Sequence, residues 1–353
     1  MARTIFMAAH AVGYVVFMLP THILVVYKAN DFQMLAYMIV VWLCSFMSVV
    51  VTGNLLTNIE GICHLWNGNF SFQRNFAEKF MPAYNPSAYP TNKILRAFLA
   101  LELFLCAAAG ILISVHSILF PDTAPYMLFT VPPQLIFLPM RLYTAFFFSV
   151  SAIGTTALLA LYIAQGLEFF FIAFPLLSKE LKMGLKKYET CDKLRTIKNL
   201  VIAYRSLTVL MAHFNHSFCG VIMPFELIFG NLTIFCNVTA ALFWEKLDTS
   251  TTKPCLMIVA AFSMSGFACF LSLGGLLHVQ SGKTIKSWRL GFWNGKFDRM
   301  YMKRVKRSCT HIQVNSWGCL KVKPLTALKY VNSSSKGTFR AILMLRKAFM
   351  KKI

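Results

Sequence analysis

Long apolar runs separated by short polar breaks set the pattern of this chain. The first run, residues 5–27, is interrupted only by His10, Pro20, Thr21 and His22. It is too long for the apolar core of a secretory signal, and no small-residue cleavage site follows, so it is expected to remain as a first membrane span. The connection 28–32 is so short that the second run, 33–55, must return antiparallel. Residues 56–93, rich in Asn, Pro and Tyr, predict a loop. A third span is expected over 94–120, and the apolar stretch 135–177 has the length of a fourth span plus a helical extension beyond the membrane. Residues 178–205 hold eight Lys or Arg against three acids, yet keep Leu194, Ile197, Leu200, Val201 and Tyr204 at helical spacing. That pattern predicts an amphipathic cytosolic helix leading into a fifth span at 217–243. A sixth span follows at 255–279.

After the sixth span the pattern changes. Eighteen Lys or Arg lie between Lys283 and Lys352 against one acid, Asp298. Inside this basic region, 322–345 has the length of a span but is broken by Lys323, Lys329, Lys336 and Arg340. Such a segment crosses a membrane only where protein or water surrounds it. The expected fold is therefore an all-α polytopic membrane protein of seven transmembrane helices, the seventh weak, with cytosolic helix extensions. It divides into a six-helix transmembrane domain, 1–279, with its basic cytosolic extension at about 178–205, and a basic cytosolic linker plus seventh helix, 280–353.

Composition agrees with that reading. A chain of 353 residues that is 57% hydrophobic and 14% charged is too apolar for an ordinary soluble domain. A net charge of +22 would point to nucleic acid in a soluble protein. Here about thirty of the 35 Lys and Arg sit in alternate loops and the C-terminal region, which is the signature of membrane orientation. No nucleic-acid partner is expected. The positive-inside rule places the N-terminus in the cytosol, with the basic loops against anionic lipids of the inner leaflet.

Candidate chemistry is sparse. No nucleophile elbow, zinc-protease motif or Gly-rich phosphate loop is present, so neither an enzyme nor a cofactor is expected. The ten Cys stand singly without a CxxC pair, which speaks against a disulfide framework or a cysteine zinc site. Ionisable residues inside spans are more informative. Counting 1.5 Å per residue puts Glu102 and Glu226 about 12–14 Å deep, and a seventh helix entering from the cytosol carries Lys329 to a similar depth. Pairing of Lys329 with one of these acids is expected, because a lone charge there is costly. Aromatics crowd the outer half of span four, and Tyr143, Phe147, His116 and Phe262 are candidates to line an apolar ligand pocket between helices.

Two stretches carry a likeness to a known group. The segment AYRSLTVLMAHFNHSFCGVIMP, residues 203–224, leads into span five, and Ser308, Cys309, Gly318, Leu325, Thr326, Thr338 and Leu343 mark the end of the chain. With the inward N-terminus and short polar last span, these resemble the arthropod gustatory and odorant receptor superfamily, in a divergent gustatory-receptor-like form. The Thr-Tyr and Gln-Phe signature of typical gustatory receptors is absent. The resemblance implies a ligand-gated nonselective cation channel in the plasma membrane, assembled as a tetramer of like or related subunits and opened by a small-molecule tastant or odorant. It implies Thr338, Ala341, Ile342 and Leu345 as pore-side residues of the last helix. A G-protein-coupled receptor and a multi-pass small-solute transporter are the alternative readings.

Overall fold

The structure, a computed structural model, describes residues 12–28, 32–81, 137–247, 252–291, 295–316 and 318–350, with isolated positions between 97 and 134. Of the predicted third span, 94–120, only scattered positions are among the described residues. A π-helical turn, Tyr14–Met18, leads into α1 (Leu19–Lys28), and then come α2 (Phe32–Phe80), α3 (Leu138–Pro175) and α4 (Ile197–Leu242). Next are α5 (Thr252–Ser287), the short α6 (Lys296–Ser308), a two-stranded hairpin of β1 (Asn315–Ser316) and β2 (Leu320–Lys321), and α7 (Thr326–Met350). Four of the described helices, α2 to α5, are long and apolar enough to cross a membrane. At about 1.5 Å per residue, α2 through α5 each exceed the roughly 30 Å of hydrocarbon and so continue beyond it.

Helix α4 is the hub. Among its buried positions, Leu200, Tyr204, Leu207, Met211, Phe214, Phe218, Val221, Ile228 and Leu232 keep to steps of three, four and seven. A stripe with that period faces one direction along the whole helix, and α2, α5 and α7 share it. Phe214 and Phe218 stack at 4.4 Å between ring centres, and Phe169 lies 5.1 Å from Phe214. Polar side chains pin the helices at one level. Asn54 of α2 donates to the Tyr162 hydroxyl of α3 (2.8 Å) and to the Ser217 carbonyl of α4 (2.9 Å).

Two sequence expectations are corrected here. The loop expected at 56–93 is helical as far as Phe80, interrupted only at Asn58, whose backbone leaves the helical region (φ −134°, ψ 30°). Composition misled, because Ile62, Leu65, Asn69, Phe76 and Phe80 form a buried face while the polar residues ride outside. The helix stops just short of Pro82, which disfavours helical backbone in the residue before it. The helix expected over 178–205 begins only at Ile197. Gly184 adopts φ +85°, and the buried Glu180 carboxylate accepts from the Thr190 amide (3.1 Å) and hydroxyl (2.6 Å), folding 181–196 into a compact loop.

The extensions of α3, α4 and α5 meet in a core built round Trp288, which is fully buried. Its indole Nε1 donates to the Leu181 carbonyl (2.9 Å), and its ring meets Tyr204 edge-on at 5.3 Å. Replacing Trp288 by Ala removes the largest of these side chains and orphans that carbonyl. The expected loss is about 3–5 kcal/mol, read as a lower thermal unfolding midpoint of the detergent-solubilised protein; an unchanged midpoint would refute this role.

Candidate functional site

The last helix is the part of the chain whose sequence least fits its surroundings. Helix α7 has 25 residues, five of them Lys or Arg and none acidic. It docks on α4 and α5 through Ala327, Tyr330 and Ser334, all buried, at helical spacing. The Tyr330 ring lies 5.1 Å from Phe267 of α5. Farther along, α7 passes Ile234 of α4 so closely that a β-carbon on Gly337 would come within 2.6 Å of the Ile234 side chain.

These contacts fix depth and direction. Going up α7, Lys323 and Pro324 lie against Gly275, and Tyr330 lies against Phe267, so α7 runs antiparallel to α5. Tyr330 also lies against Gly230 and Gly337 against Ile234, so it runs parallel to α4. Lys336 therefore stands at the level of Ile234 of α4, a helix long and apolar enough to cross a membrane. At about 100° per residue, Leu328, Asn332, Phe339 and Leu343 form one exposed row, and Lys329, Lys336, Arg340 and Lys347 form a second row beside it.

A latch sets where α7 begins. The linker after α6 is held to α4 by the Tyr204 hydroxyl donating to the Thr310 carbonyl (2.7 Å) and by Asn215. That side chain donates to the Gln313 carbonyl (3.1 Å) and accepts from the Asn315 amide (2.9 Å). Ser316 donates to the Cys219 carbonyl (2.7 Å), and on the α5 side the Ile312 amide donates to Ser281 Oγ (3.1 Å). The hairpin closes through Gly318 at φ +72°. At the start of the latch, burial raises the Cys309 thiol pKa while Arg205 pulls it the other way.

The residues singled out from the sequence divide. His116 and Glu102 lie outside the described residues. Phe147 is buried and meets Phe148 edge-on at 5.4 Å, but Tyr143 and Phe262 are 57% and 70% exposed on the single chain. The described members of the expected pocket therefore do not enclose a cavity. In lipid an outward aromatic has no solvation cost, so aromatic crowding does not mark a pocket as it does in water. Thr338, Ala341 and Ile342 are half-buried on or beside the docking side of α7, and Leu345, in line with them, is 38% exposed. The free side is the one bearing Asn332, Phe339 and Leu343. Glu226 is half-buried and Lys329 exposed, and no ion pair joins them. The helix turns Tyr330 toward the bundle instead, one residue and a quarter-turn away.

Gly275 tests this docking directly. A β-carbon there would lie 2.9 Å from the Lys323 carbonyl oxygen and 3.0 Å from Pro324 Cα, both backbone, whereas one at Gly266 of the same helix meets nothing within 4 Å. Gly275→Val is expected to cost about 1–3 kcal/mol and to speed tryptic cleavage at 321–329. Gly266→Val is expected to leave cleavage unchanged, and equal cleavage of the two variants would refute the docking.

No known protein-family profile and no curated protein matches the sequence. Among solved structures the chain is similar to the insect olfactory receptor OR5 from Machilis hrabei, with a TM-score of 0.65 and 13% identity over 98% of this chain and 87% of that one. The same receptor in complex with eugenol matches at a TM-score of 0.61, with 13% identity over 98% of this chain and 88% of the other. At this identity the likeness is one of fold: the chain is a multi-pass helical membrane protein built on the architecture of an insect olfactory receptor.

Proposed function

We propose that this chain is a divergent chemoreceptor subunit of the insect olfactory and gustatory type. It sits in the plasma membrane with its N-terminus in the cytosol. Together with three like or related subunits it forms a ligand-gated nonselective cation channel opened by a small-molecule tastant or odorant. The shared fold supports this, and a solved complex of OR5 with eugenol supports a small organic ligand.

The observation that carries the reading is the free side of α7. A Lys or Arg at the centre of a membrane helix costs about 2.5–3.5 kcal/mol against lipid on insertion scales. Lys329, Lys336 and Arg340 lie on the side of α7 that its own chain leaves open, and α7 runs beside α4, a helix long and apolar enough to cross a membrane. Those charges need water or another subunit, and four α7 helices around a wet axis supply both. With Leu328, Asn332, Phe339 and Leu343 toward the axis, the basic row falls toward the lumen edge and the neighbouring subunit. Anionic lipid at the inner leaflet balances the basic α6.

The test uses the full chain in cells, tagged at both ends, with currents recorded during application of a panel of odorants and tastants. The expected result is an internal N-terminal tag, an external C-terminal tag, a four-chain particle after extraction, and evoked currents whose reversal potential follows the cation gradient. Neutralising the basic row by Lys336→Gln with Arg340→Gln is expected to raise cation permeability relative to chloride, since a ring of positive charge repels cations. Two internal tags would leave α7 uncrossed and end the reading. A reversal potential that follows chloride would keep the channel and remove its cation preference.

A further inference from the structure

Two histidines 33 residues apart in sequence meet where the linker crosses α5. His278 lies on α5 one turn before Gly282, and His311 lies in the linker over that glycine. A β-carbon at Gly282 would come within 3.1 Å of His311 Cε1, so the missing side chain is what seats the imidazole. His311 Nδ1 is 3.4 Å from His278 Nε2, with ring centres 4.8 Å apart and planes inclined by 59°. Zinc–imidazole bonds of about 2.0–2.1 Å at a tetrahedral angle hold two ligand nitrogens about 3.3–3.4 Å apart. The two rings already stand at that separation.

Their surroundings leave them available. The far nitrogen of His278, Nδ1, is buried with no hydrogen-bond partner, so no wider polar network accounts for this pair. His311 is exposed, which gives an ion and its waters access and lets the ring turn its lone pair toward a shared point. Among the described residues no cluster of three or more His, Cys, Asp or Glu exists, so water completes the coordination shell. Lys323, at the foot of α7, is close enough to act electrostatically on His278 and opposes a cation there.

We infer that His278 and His311 form a two-imidazole binding site for a divalent transition-metal ion, zinc fitting best, that clamps the α6–α7 linker to the inner end of α5. Each ring binds as the neutral imidazole through one lone pair: the proton between the two facing nitrogens moves to the far nitrogen of its ring, or is released to water where that far nitrogen already carries one. The clamp ties α5 to the segment from which α7 starts, 15 residues before Thr326. The inference stands independently of the receptor reading, because it concerns metal affinity and not conductance.

The experiment is a titration of the purified full-length protein in detergent with zinc ion, read as the shift in thermal unfolding midpoint and reversed by chelator. Wild type is expected to shift upward. His278→Ala and His311→Ala are each expected to raise the zinc concentration needed by at least about ten-fold, and His311→Cys, which supplies another ligand, to restore the shift. Lys323→Gln, which leaves both imidazoles in place, is expected to tighten binding. His311 is exposed, so its variants keep the fold even where the His278 variant does not. No shift in wild type, or an equal shift in wild type and His311→Ala, would overturn the site, the second by placing zinc on other histidines.

Discussion

The repeat of buried residues along α4 is the constraint from which the rest of the bundle takes its place. A stripe at steps of three and four points one way for the full length of a helix only if its partners wrap along it. Helices α2, α5 and α7 do so. Because the stripe continues from Leu200 through Leu232, one buried face runs through the whole length of α4 without a break. Trp288 closes the end of the bundle where α4 begins by joining the loop after α3 to α5 through a single indole.

In lipid the apolar stripe alone does not choose a register, since one apolar surface is nearly as good as another there. Polar side chains make the choice. Asn54 reaches α3 and α4 at once, and Gln165 of α3 donates to the Ile62 carbonyl of α2 at 3.0 Å. A slip of either helix by one residue would leave these amides without partners where water cannot replace them. The break at Asn58 belongs to the same device, its side chain donating to the His216 carbonyl of α4 at 3.1 Å.

How much of this was legible depends on the period of each signal. Long apolar runs marked α3, α5 and the membrane part of α4 closely, because mean apolarity over about 20 residues identifies a span. The lower half of α2 was hidden, since its signal is a one-sided stripe from Ile62 to Phe80 beneath a polar average. The loop 181–196 imitates a helix in sequence because Leu194, Ile197 and Leu200 follow at steps of three into α4, and only Gly184 and the Glu180 contacts reveal the loop before them. The polar clamp left a trace, an Asn inside an apolar run at Asn54. Asn215 meets its latch partner Gln313 across 98 positions, and His278 meets His311 across 33. No local pattern carries such a pairing.

The way α7 is seated decides how a change elsewhere would reach it. At its foot the contact with α5 is backbone against backbone: Gly275 meets the Lys323 carbonyl and Pro324 with no side chain to absorb a shift. Val314 and Val322 pack against Gly274 one residue earlier. A rotation or slide of α5 must therefore move the start of α7. Higher up, Gly337 holds the middle of α7 against Ile234 of α4, so that level of the helix follows α4. With its foot set by α5 and its middle by α4, α7 tilts whenever α5 moves relative to α4. That is a packing route from the bundle to a charged helix face, and it depends on two glycines.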